Sequence, residues 1–148
     1  MKKKTLGLSI LVGSAMLTGC IDPSNDNSSI LQNNLVFDYF DDGLDFAVSV
    51  GINQSNISGF ENKNGTNPTQ VTVTYSNISS GCTAYAADGM TVVTTTATTA
   101  STDTDVGELG FDSFLGGIVC DAAGKTANLT ISFTASGKNY TAATTLTS

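Results

Sequence analysis

The strongest constraint on the fold is a two-residue rhythm. In TQVTVTYS, Val71, Val73 and Tyr75 alternate with polar neighbours; in ANLTISFTA, Leu129, Ile131 and Phe133 do the same. In YTAATTLT the alternating set is Tyr140, Ala142, Thr144 and Leu146. Successive side chains of a strand point to opposite faces, so this period marks strands with one dry and one wet face. No stretch carries a persuasive helical period.

The same pattern organises the rest of residues 35–148. LVFDYF puts Leu35, Phe37 and Tyr39 on one face, and LDFAVSV does so for Leu44, Phe46, Val48 and Val50. Asp41-Asp42-Gly43 between them is a tight-turn signal, so 35–50 reads as a β-hairpin. Ser136-Gly137-Lys138-Asn139 turns the chain into a second, closing hairpin. MTVVTTTATT is a β-branched run, and 82–86, 106–111 and 116–120 are shorter candidates. Roughly seven to nine short strands, separated by turn clusters such as ENKNGTNP, predict an all-β fold, an antiparallel two-sheet β-sandwich. A chain of 148 residues has room for one such domain.

The closing LTISFTASGKNYTAATTL resembles the last hairpin of bacterial immunoglobulin-like domains. That resemblance implies an immunoglobulin-like sandwich. The chain has no Trp, and its cysteines stand closer together than the usual immunoglobulin bridge, which leaves the strand order open.

The N-terminus follows different rules. Lys2, Lys3 and Lys4 precede the apolar run Leu6–Met16, about half the ~20 residues needed to span a bilayer but the length of a signal-peptide core. The run ends in Leu17-Thr18-Gly19-Cys20, which resembles the lipobox of bacterial lipoproteins. The resemblance implies that residues 1–19 are a cleaved signal peptide and that Cys20, carrying lipid on its thiol, becomes the first mature residue. In that family Asp directly after the Cys retains the protein at the inner membrane of enteric bacteria. Here the position is Ile21, which favours the outer membrane of a Gram-negative cell. Residues 20–34, the Cys with IDPSNDNSSILQNN, read as a flexible linker.

The lipobox also bears on the cysteine count of 3. With Cys20 taken by lipid, Cys82 and Cys120 remain as a pair in an oxidising compartment. A bridge between them is worth about 4 kcal/mol through loop closure; two separate buried thiols are the alternative.

Charge excludes some functions. The whole chain carries −7, and without residues 1–19 only Lys63, Lys125 and Lys138 offset 13 acids. There is no Arg to fork onto phosphate, so nucleic acid is not an expected partner. Without His there is no Ser-His-Asp triad, Cys-His pair or imidazole base, and no enzyme activity is expected. Asp38, Asp41, Asp42 and Asp45 crowd the first hairpin, and Asp103, Asp105, Glu108 and Asp112 a later loop. Clustered carboxylates on turns are what Ca²⁺ uses, so the first group is a candidate calcium site; no other cofactor is expected. The Thr-rich stretch 91–105 is open to three readings: an edge strand that pairs with a partner, a carrier of O-linked sugar, or a Thr-faced strand running into a polar loop. The expectation is a lipid-anchored envelope protein acting as a surface binding or adhesion module on a protein or glycan ligand. The rival is a periplasm-facing accessory subunit of an envelope assembly.

Overall fold

The computed structural model describes residues 27–102 and 110–148. Helix α1 (Ser28–Asn34) is followed by strands β1 (Val36–Asp41), β2 (Phe46–Ile52), β3 (Gln70–Ser76), β4 (Cys82–Tyr85) and β5 (Val92–Val93). β6 (Thr98–Ser101), β7 (Ser113–Cys120), β8 (Thr126–Ala135) and β9 (Lys138–Thr147) complete the chain. They form two antiparallel sheets, β9-β8-β3-β6 and β1-β2-β7-β4-β5. The fold is an all-β two-sheet sandwich. Its strand orders β1-β2-β7-β4 and β9-β8-β3 are those of the A-B-E-D and G-F-C sheets of an immunoglobulin domain. β5 and β6 are inserted between the fourth and fifth strands of that plan.

The alternating residues do what their period predicts. Val71, Val73, Tyr75, Leu129, Ile131, Tyr140, Ala142 and Leu146 face Val48, Val50, Ala84, Leu115 and Ile118 of the other sheet in one buried core. Burying each large apolar side chain is worth about 1.5–3 kcal/mol. β3, the counterpart of the strand that carries a buried Trp in immunoglobulin domains, here carries the buried Tyr75. Its hydroxyl crosses the core, donates to the Tyr85 carbonyl at 2.7 Å and accepts from the Gly117 N–H at 2.8 Å. Tyr85 and Gly117 are register partners, so the hydroxyl joins the two strands where they meet. Gly116 makes room for it, since a Cβ there would lie 2.7 Å from the hydroxyl oxygen.

The structure departs from the sequence reading in four places. Residues 28–34 are a helix, with Leu31 fully buried, the Gln32 side-chain oxygen accepting from the Ala143 N–H at 3.3 Å, and Asn27 donating to the Asn139 carbonyl at 3.2 Å. The linker reading therefore does not hold for those residues. One apolar anchor in seven residues is too little to leave a period. MTVVTTTATT is two strands in different sheets, because the chain crosses the sandwich between Val93 and Thr98. β7 begins at Ser113, three residues before the expected 116, and Leu115 is an extra residue where the register shifts opposite Val50 and Gly51. Of the candidate strand 106–111, residues 106–109 lie outside the described residues, and Gly110 and Phe111 are in no strand.

Cys82 and Cys120 form a disulfide that closes a 38-residue separation. It differs from the immunoglobulin bridge: it joins neighbouring strands β4 and β7 of one sheet, with the two residues directly opposite. The flanking pair is bonded from Asp121 N–H to Gly81 C=O, and Cys82 N–H turns away to Ser79 C=O. The cysteines thus occupy a non-hydrogen-bonded position, where facing side chains approach most closely.

Candidate binding edge

A sandwich of two open sheets has four edge strands, each with unpaired backbone groups that proteins usually shield. Here β5 is two residues long and β6 four. α1 lies along β9, its Gln32 side chain and the Asn27 backbone taking up edge groups. β1 is different. It is six residues long, and among the described residues nothing pairs with its outer side.

β1 also exposes large apolar groups. Phe37 and Tyr39 lie opposite Val50 and Val48 and share their face, yet Tyr39 is 66% exposed where Val48 is 1%. Phe40, opposite Ala47 on the outer face, is 55% exposed, and Leu44 in the turn is 79% exposed. Toward its turn β1 is exposed on both faces, at Tyr39 and Phe40, while Val36 and Asp38 are half-buried. Isolated surface apolars are ordinary, whereas four on one hairpin make it the candidate contact surface. A smaller pair, Met90 and Val92, stands at the opposite end of the same sheet.

The turn explains the acids. Asp42 N–H bonds to Asp45 C=O, so Gly43 and Leu44 form a two-residue loop, with positive φ (86°) at Gly43 alone, as in a type II′ turn. Asp41 accepts from Gly43 N–H at 2.8 Å, and one oxygen of Asp42 accepts from both Leu44 and Asp45 N–H. The Asp45 and Leu44 amides hold the Asp42 carboxyl below its ordinary range. Asp38 sits on the outer face of β1 opposite Ser49. Asp38, Asp41, Asp42 and Asp45 therefore do not converge: among the described residues no three candidate ligands gather into a metal site. These carboxylates shape a turn and charge an edge. Of the later cluster, Asp103, Asp105 and Glu108 lie outside the described residues, and Asp112 accepts from the Gln54 N–H at 2.7 Å. Cys20 also lies outside them. No helix among the described residues is long and apolar enough to cross a membrane.

The outer face of the four-stranded sheet is a contrasting surface. A broad depression of about 610 Å³ is lined by uncharged Gln70, Thr72, Ser132, Thr134, Asn139 and Thr141. Several of its side chains pair across strands, Thr72 with Thr99 at 2.7 Å and Thr134 with Asn139 at 2.9 Å, as expected of a hydrated Thr-rich sheet.

Sequence reasoning grouped Phe37 with Tyr39, and Leu44 with Val48 and Val50, on single strand faces, and missed Phe40; the structure leaves Tyr39, Phe40 and Leu44 exposed. The available signal was LVFDYF itself, where consecutive Tyr39 and Phe40 put aromatics on both faces of one strand.

No family model matches the chain, and no curated protein matches it. A crystal structure of a protein from Francisella tularensis str. tularensis SCHU S4 is similar, with a TM-score of 0.54 and 22% identity over 77% of this chain and 89% of that one. The likeness concerns the fold.

Proposed function

We propose that this protein is a lipid-anchored lipoprotein of the bacterial envelope that works by binding, with the β1 edge as its contact surface. The observation that carries the reading is the placement of that edge. The turn after β1 lies at the disulfide end of the sandwich, where Phe46 pairs with Cys120. The chain enters at the other end, where Asn27 meets Asn139 beside the β8–β9 turn. A domain held at Cys20 thus presents its exposed hairpin away from the lipid. Lys2–Lys4, the short apolar run and Leu17-Thr18-Gly19-Cys20 support the anchor, and Ile21 supports the outer membrane by resemblance. With α1 docked, six residues, 21–26, separate Cys20 from the described domain, and six residues span at most about 20 Å. Binding is preferred to catalysis because the chain lacks His and its hairpin acids serve the turn.

Two experiments test this. Labelled fatty acid should enter the protein and be absent from Cys20→Ala; label retained in that variant contradicts the anchor. Tyr39→Ser with Phe40→Ser should leave the melting temperature within about 3 °C and abolish recovery of whatever the wild-type protein retains from cross-linked cells. Unchanged recovery contradicts the contact surface. The rival reading, a periplasm-facing subunit, predicts that protease added to intact cells spares the domain.

A further inference from the structure

We infer that β1 receives an extended segment of a partner protein, of alternating apolar and basic character, as an additional strand of the five-stranded sheet. The inference rests on the binding reading above and names the kind of partner. Three observations carry it.

The first is hydrogen bonding. Asp42 and Asp45 form a bonded pair, so along β1 the bonded positions are Phe40, Asp38 and Val36, and the backbone groups of Phe37, Tyr39 and Asp41 point to the open edge. These three residues offer a complete half-ladder to an incoming strand. The second is the contrast with the other three edges, which are short or covered. The third is charge. Asp38 and Asp41 lie on the strand itself, with Asp42 and Asp45 at its tip. A second copy of β1, paired antiparallel through the same three residues, would set the two Asp38 carboxylates diagonally across the ladder and double the acid charge at the edge, and like charges in such pairs are destabilising. Residues 103–109 of this chain, with Asp103, Asp105 and Glu108, are mismatched for the same reason. A strand carrying Lys or Arg beside apolar residues complements both the carboxylates and Phe37, Tyr39 and Phe40.

The test uses the full chain in detergent micelles and synthetic peptides of about ten residues, one alternating Val with Lys and one alternating Val with Glu. The Lys peptide should bind at least about tenfold tighter than the Glu peptide, and Asp38→Lys should narrow or invert that ratio. Hydrogen exchange should show new protection at the Phe37, Tyr39 and Asp41 amides. Tyr39→Pro, which removes an edge-facing N–H without touching the bonds to β2, should abolish both effects. Equal binding of the two peptides, protection elsewhere, or protection that rises with protein concentration alone would overturn the inference. If these amides stay exposed with the Lys peptide while β1 still cross-links to a partner in cells, strand addition falls and the binding reading stands.

Discussion

Replacing Tyr75 with Phe removes one oxygen from the middle of the sandwich and keeps the ring. Tyr75 is 1% exposed, so its hydroxyl acts out of bulk solvent. Without the hydroxyl, the Gly117 N–H loses the acceptor at 2.8 Å and the Tyr85 carbonyl loses the donor at 2.7 Å. A buried backbone group left unpaired costs about 1–3 kcal/mol, and with one donor and one acceptor affected the expected loss is about 3 kcal/mol. For a domain of this size that lowers the melting temperature by about 12 °C. Denaturant unfolding of Tyr75→Phe, Gly116→Ala and the double variant gives a sharper test. Alone, the Gly116 methyl collides with the hydroxyl and costs about 1–3 kcal/mol; with the hydroxyl gone, part of that collision disappears. The double variant should be more stable than the sum of the singles by about 1 kcal/mol. A loss below about 1 kcal/mol for Tyr75→Phe, or additivity within about 0.3 kcal/mol, refutes the proposed role of the hydroxyl.

Burial also pushes the Tyr75 hydroxyl well above its ordinary value of 10.0, against the smaller opposing influence of its backbone bonds. Its stabilising contribution is therefore complete below about pH 10 and lost as the pH rises further, because only the unfolded chain ionises there. The alkaline decline in melting temperature should be shallower in Tyr75→Phe, and an unchanged profile counts against the assignment. At the acid end, the Lys125 ammonium beside Asp121 and the turn amides around Asp42 lower both carboxyls. Stability should fall as the pH drops below about 4 and these groups take up protons, and a flat acid profile would contradict this. Reducing Cys82–Cys120, or replacing both with Ser, should cost about 4 kcal/mol from loop closure, checked by denaturant unfolding; a loss under about 1 kcal/mol would deny the bridge its stabilising role. Leu31→Ala should cost about 3 kcal/mol and expose the α1 amides to hydrogen exchange. An unperturbed melting temperature would return residues 28–34 to the linker.

The strands of the core were legible because their two-residue period is a direct record of burial on one face: Val71 to Tyr75 and Leu129 to Phe133 needed no tertiary information. Features that depend on a remote partner were not legible. Phe37 and Tyr39 alternate like core residues, yet Tyr39 is exposed beside the buried Val48, because what covers a strand face is set by the other sheet and not by the strand's own sequence. Leu31 is one apolar residue in a polar stretch, and its burial depends on β9, more than a hundred positions away. The Asp38–Asp45 cluster looked like a ligand set because composition reports the number of carboxylates and not their directions. In the fold, a Gly43 turn bonds two of them to the backbone and strand geometry separates the others. The cysteine pairing was readable by counting, but its position within one sheet was not, because it depends on which strands neighbour one another.

The central claim is that the β1 edge meets a partner while Cys20 holds the domain to the membrane. A photo-crosslinking residue at Tyr39, compared in intact cells with the same residue at Thr130 on the opposite sheet's outer face, tests it most directly. The account predicts one discrete adduct from position 39, abolished by edge changes such as Asp38→Lys, and none from position 130. Equal labelling from both positions, or adducts from 130 alone, would contradict it.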